Sequence, residues 1–149
     1  MTGVLVDTNV LVYAYDAGDP AKQERALQVL DALQGAGIGQ LSAQTLAEFF
    51  RVTTRESRQL LTVAEATEQV GKLARAWSVL EITPMIVLEA ARGVRDHQLA
   101  YWDAQVWATA RLNQIRTIFS EDFRSGSVVE AVHFVDPFQA EFDIAEWLS

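Results

Sequence analysis

Half of the 149 residues are hydrophobic, enough for one core of ordinary size and too few for two. No cysteine is present, which excludes a disulfide framework and a thiolate metal site; any metal must be held by oxygen ligands or by His97 and His133. Twenty acidic against twelve basic residues give a net charge of -8, which argues against a generic duplex-binding surface, although a metal held among carboxylates can reverse the potential locally. No basic region precedes the first short apolar run and no 18 consecutive residues are apolar, so neither a secretory signal nor a membrane span is expected. With the missing cysteines this fits a soluble protein of a reducing cytoplasm, folded as a single domain over residues 1–149.

Gly3 to Val6 lack polar alternation and predict a central parallel strand. The strand stops on Asp7, followed by Thr8, Asn9 and a second apolar run from Val10 to Tyr15 that would lock a turn behind it. Asp19-Pro20 predicts a capped helix start, with Ala26, Leu27, Val29, Leu30 and Leu33 on its apolar face and Gly35, Gly37 and Gly39 at its end. A short strand to Leu41 follows, then a cap at Ser42 and a helix burying Leu46, Phe49 and Phe50, with Glu48 inside it. Thr62 with Glu65 forms a capping-box pattern ahead of a third helix, whose Gly71 weakens the expectation of one unbroken rod.

Val79 to Ile82 predicts a strand, and Thr83-Pro84 opens a helix through Met85, Val87, Leu88 and Ala91. A helix is predicted from about Tyr101 to Asn113, with Ala104, Trp107, Ala108 and Leu112 at core spacing. Ile115 to Phe119 and Val132 to Val135 complete the strands, separated by a polar loop, and the tail after Phe138 adds a short helix with Ile144, Trp147 and Leu148. This alternation predicts a three-layer α/β/α sandwich with a central, mainly parallel sheet.

Ligands of such sheets gather beyond the carboxyl ends of the strands. Asp7 follows the first strand, Asp122 lies just past Phe119, Asp103 sits in the first turn of the helix feeding that strand, and Glu48 lies one to two turns from its cap. Four carboxylates from four segments could therefore meet in one crevice. Concentrated carboxylates repel one another, so a cluster implies a cation, and an all-oxygen donor set selects Mg²⁺ or Mn²⁺. Phosphodiester hydrolysis by metal-activated water is the chemistry this points to.

Each acid also has a plainer reading: Asp103 favours a helix dipole, Asp122 suits a turn, and Glu48 suits an exposed helix face. Asp7, wedged between apolar runs, could be structural only as a cap for the following turn. Thr8 and Asn9 could supply turn bonds or orient Asp7. Both histidines, the serines and the aromatic pairs read as structural, and Arg51, Arg92, Arg95 and Arg124, with Arg55 and Arg58 nearby, are candidate phosphate contacts or solvated surface.

The stretches "VLVDTNVLVYA", "SAQTLAEFF", "YWDAQVWATA" and "TIFSEDF", in that order, resemble the PIN-domain ribonucleases, and within them the VapC-type toxins of bacterial toxin–antitoxin pairs. The family's four acids fall on Asp7, Glu48, Asp103 and Asp122, the small polar residues beside the first acid on Thr8 and Asn9, and the hydroxyl before the last on Ser120, with Glu121 in a supporting position. The resemblance implies a PIN-like fold and Mg²⁺- or Mn²⁺-dependent endonucleolytic cleavage of RNA leaving a 5′-phosphate and a 3′-hydroxyl. Asp7, Asp103 and Asp122 would hold the metal, and Glu48 would position it or the attacking water. It also implies a homodimer, packed through the helices after Glu48 and before Asp103, and inhibition by a cognate antitoxin protein.

Three rivals are weighed against this reading. A phosphatase working through an aspartyl phosphate needs a second acid two residues after the first, where this chain has Asn9. A phospho-accepting signalling domain needs a lysine near the end of the last strands, and the chain's only lysines are Lys22 and Lys72. A non-catalytic PIN-like interaction module is the rival from a different class, since apolar helices and four tryptophans could serve partner binding alone.

Overall fold

Val4, Leu5 and Val6 form strand β1 (Val4–Val6), and all three are buried. A strand with no solvent-facing side belongs in the middle of a parallel sheet. In the computed structural model, which describes residues 3–148, β1 pairs in parallel with β2 (Gly39–Ser42) on one side and with β4 (Thr117–Phe119) on the other. Parallel β3 (Ser78–Leu80) lies beyond β2, parallel β6 (Val132–Val135) lies beyond β4, and β5 (Val128–Val129) closes that edge antiparallel. The order is β3-β2-β1-β4-β6-β5. Of the domain expected over 1–149, positions 1–2 and 149 lie outside the described residues.

Because successive strand side chains point to opposite faces, the short strands feed two separate cores. Val4, Val6 and Phe119 pack with Leu11, Leu33 and Phe49, under helices α1 (Thr8–Tyr13), α2 (Pro20–Ala36), α3 (Ala43–Thr54) and α4 (Val63–Ala76). Leu5 and Ile118 pack with Ile86, Ala104, Trp107 and Phe134, under α5 (Pro84–His97) and α6 (Tyr101–Leu112). The result is the expected α/β/α sandwich.

The caps predicted from sequence form. Asp19, Ser42 and Thr83 each accept the backbone N–H three residues on, and Thr62 and Glu65 complete the reciprocal capping box. Helix α2 runs through Gly35 and stops at Gly37, whose φ of 69° takes the left-handed C-cap conformation. Gly39 is needed for space: a Cβ there would fall 2.2 Å from the Trp77 ring and 3.1 Å from the Leu33 Cβ. Gly39→Ala is expected to destabilise the fold by about 1–3 kcal/mol, read as a lower urea midpoint at unchanged slope.

Four expectations need correction. The turn expected after Asp7 is instead the start of helix α1, which is capped by Asp7, buries Val10 and Leu11 and ends at Tyr13, with Ala14 and Tyr15 in the turn that follows. Helix α4 continues unbroken through Gly71. Strand β3 ends at Leu80 because the chain leaves the sheet to place Thr83 as the cap of α5, while Ile82 turns into the second core. The β5–β6 hairpin was not expected, because Glu130 and Ala131 fill a two-residue turn with φ of 47° and 69° where asparagine and glycine are the usual occupants. Glu130 is tied down there by an ion pair to Arg92 and a hydrogen bond with His97, which hold its carboxyl down at about 2.

Candidate active site

Between β1 and β4 the strand order reverses, and the crevice beyond the carboxyl ends at that point is where such sheets bind ligands. Asp7 leaves β1 at this rim and Ser120, Glu121 and Asp122 leave β4 beside it. Asp7 is the N-cap of α1: its Oδ1 accepts the Thr8 N–H at 2.8 Å, and its Oδ2 accepts the Ser120 hydroxyl at 2.7 Å. It is only 4% exposed, and burial pushes its carboxyl up to about 7, with the charges of Asp122 and Glu48 adding to the rise and the Ser120 and Thr8 bonds opposing it.

The serine is a hub. Its Oγ accepts the Asp122 N–H at 3.1 Å and the Asn9 Nδ2 at 3.2 Å, while Asn9 Oδ1 accepts the Glu121 N–H at 3.3 Å. Thr8 reaches the other way, donating its hydroxyl to Glu48 Oε2 at 3.0 Å. Capping the turn and orienting the acids are therefore one set of bonds. Asp7, Glu48 and Asp122 are linked through it.

Asp103 stands in the first turn of α6. Its carboxyl is raised by burial and then by the charges of Asp122 and Glu48. Asp122 is raised by burial, against a lowering bond from Asn9, and further by Glu121 and Glu48. All four acids predicted from sequence thus share one electrostatic field. Among the described residues none of the four forms an ion pair with a lysine or arginine, and no three His, Asp or Glu side chains are close enough to enclose an ion as they stand. In kind, the donor set suits a hard divalent cation: every candidate ligand is a carboxylate oxygen, and among the described residues none of these carboxylates is neutralised by an ion pair.

Other side chains reach the crevice without a signal in the sequence. Lys22 on α2 lies 2.7 Å from Glu121 Oε2, and Tyr13 donates to Glu121 Oε1 at 2.8 Å. This corrects the expectation that no lysine stands near the last strands; 99 residues separate Lys22 from its partner. A groove of about 270 Å³ runs past Thr8, Asn9, Tyr13, Glu48, Arg55 and Asp122. Arg58 also lines it and holds the buried Asp16 through bonds of 2.7 and 2.8 Å. Across Glu48 a second, more apolar recess of about 550 Å³ is lined by Ala47, Arg51, Ile82 and Trp102.

The remaining predicted arginines divide. Arg51 lines the second recess, and Arg124 is exposed in the loop two residues past Asp122. Arg92 and Arg95 are not brought to the acids: Arg92 binds Glu89 and Glu130, at the amino end of β6, and Arg95 binds Asp96. Their carboxylate partners on α5 and in the β5–β6 turn take up the charge that a phosphate would have met.

Comparison with known proteins gives a consistent result. No curated protein matches the chain. Among solved structures, VapC20 of Mycobacterium tuberculosis, a sarcin-ricin loop cleaving toxin, is 20% identical, with a TM-score of 0.68 over 86% of this chain and 98% of that one. A toxin–antitoxin complex from Klebsiella pneumoniae matches at 18% identity and a TM-score of 0.66, over 91% and 98% of the two chains. DNA-bound VapBC from Salmonella typhimurium matches at 14% and 0.64, over 92% and 99%. At these identities the likeness is one of fold. The PIN domain family itself matches residues 4–129, a span that holds all four acids and most of both cores, and the chain belongs to that family.

Proposed function

We propose that the protein is a metal-dependent endoribonuclease acting as the toxin of a toxin–antitoxin pair. The observation that carries this reading is the mutual electrostatic influence of Asp7, Glu48, Asp103 and Asp122, from four segments at the switch point of the sheet, with none of them ion-paired among the described residues. Asp7, Asp103 and Asp122 would hold Mg²⁺ or Mn²⁺, and the ion when bound would lower the pKa of water and offset charge on the phosphodiester. Glu48, fixed by Thr8 from one side, keeps lone pairs with which to orient the attacking water. Ser120 and Asn9 keep Asp7 and Asp122 in register, and Lys22 holds Glu121 and with it the loop carrying Asp122. Arg55, exposed on the groove wall, is suited to a neighbouring phosphate of the RNA.

Family membership and the toxin–antitoxin complexes among the similar structures support a cognate antitoxin as partner. Exposed Met85, Val87 and Leu88 on α5 and Val63 on α4 support a homodimer packed through these helices. Incubating antitoxin-free protein with a mixed RNA pool, with Mn²⁺ or with chelator, tests the function. The expected result is cutting only with the metal, ends carrying 5′-phosphate and 3′-hydroxyl, and loss of cutting by about 100-fold or more in Asp103→Asn. Undiminished cutting by that variant would sink the assignment.

A further inference from the structure

We infer that Gln44, which lies in the stretch "SAQTLAEFF" four residues before Glu48 and to which the resemblance assigns no role, is a positioning residue that sets Glu48 against Asp103; the inference rests on the ribonuclease reading. Gln44 is buried at the start of α3, one turn before Glu48. Its Nε2 donates to Glu48 Oε1 at 3.0 Å and to the Trp102 carbonyl at 3.1 Å. That carbonyl lies in the first turn of α6, one residue before Asp103. A single amide group therefore spans the two helices that bring these acids to the crevice.

The orientation of the amide is determined by its neighbours. A carboxylate and a backbone carbonyl can only accept, so the NH₂ must face them. The Gln44 Oε1 in turn accepts from Gln105 Nε2 at 2.9 Å, and Gln105 Oε1 accepts the Tyr101 hydroxyl at 2.9 Å. Gln105 is also buried, so each amide has few alternatives and a flip would leave buried donors and acceptors facing their own kind. Glu48 is thus clamped at both oxygens, by Thr8 from the α1 side and by Gln44 from the α6 side. With Ser120 between Asp7 and Asp122, one run of bonds passes from the loop after β4 to the first turn of α6 and touches the segment of every acid. Outer partners of this kind hold ligating carboxylates in place and are worth about 10–100-fold in metal affinity or activity.

The test compares Gln44→Met, which keeps volume and loses the amide, with Gln44→Asn, which keeps an amide too short for Glu48 and guards against misfolding. The measurements are kcat and KM on an RNA that the wild type cuts, and Mn²⁺ affinity by calorimetry, each repeated in a Glu48→Gln background. The expected result is a 10–100-fold fall in kcat, a nearly unchanged KM and about tenfold weaker Mn²⁺ binding in both variants. In the Glu48→Gln background the further loss of affinity should be under about twofold, since Gln44 acts through Glu48. Wild-type kcat and affinity in both variants would overturn the inference, as would equal losses in both backgrounds, the mark of a merely structural role. If Asp7→Asn cut as fast as the wild type, the ribonuclease reading would fail instead, and the affinities would still decide the role of Gln44.

Discussion

Asp7→Asn is expected to lower metal-dependent RNA cleavage by about 1000-fold or more while making the metal-free protein more stable at about pH 8. The two effects have one origin. Asp7 is buried between two apolar runs, and its carboxyl is pushed up to about 7 from an ordinary value of 3.8. A group raised on folding favours the folded state while it is protonated, fully so below about pH 4, and that advantage is lost as pH rises through about 7. At about pH 8 the unfolded chain carries Asp7 ionised at little expense, whereas the folded chain must bury the charge. A shift of about three units corresponds to about 4 kcal/mol, so the neutral amide should recover on the order of 2–4 kcal/mol there and almost nothing near pH 4. Urea denaturation in chelator at the two pH values reads the difference. Equal stability of the two proteins at high pH would show that Asp7 is not a strained charge.

Mn²⁺ is expected to stabilise the wild type by about 2.7 kcal/mol at about pH 8 when present at a hundredfold excess over its dissociation constant. For a chain of this size that is about 5–10 °C in Tm. Because ligands must lose their protons before a cation binds, Asp7 makes the effect depend on pH. At about pH 5.5, roughly 1.5 units below its folded value, competition by protons should weaken the ion about 30-fold and cut the stabilisation to under about 1 kcal/mol. Raised carboxyls at Asp103 and Asp122 push in the same direction. A shift in Tm of the same size at both pH values would mean that the ion binds elsewhere.

Chain-local signals were readable before the fold was known. The caps at Asp19, Ser42, Thr62 and Thr83 depend on residues within three positions of each other, and all of them form. The positions of the four acids on the fold were readable as well, because Asp7 and Asp122 follow strands, Asp103 opens α6 and Glu48 lies inside α3, all elements whose apolar pattern is plain. Helix α1 was hidden because Asp7-Thr8-Asn9 carries the chemistry of a turn, and only burial of Val10 and Leu11 decides for a helix. The hairpin turn at Glu130 and Ala131 contradicts ordinary turn preference and is held by an ion pair and a hydrogen bond from α5. The contacts of Lys22 with Glu121 and of Gln44 with the Trp102 carbonyl escaped for a different reason. They depend on how α2 and α3 are rotated against the sheet and α6, which no spacing in the sequence encodes. Arg92 shows the converse, since a charge that reads as a phosphate contact is already neutralised by Glu89 and Glu130.

The central claim is that acids from separate segments make one metal site, and calorimetric titration of Mn²⁺ into the chelator-stripped protein at about pH 8 tests it most directly. The wild type should bind with proton release, and Asp7→Asn and Asp103→Asn should each weaken binding by about tenfold or more. Wild-type affinity in both variants would contradict the account.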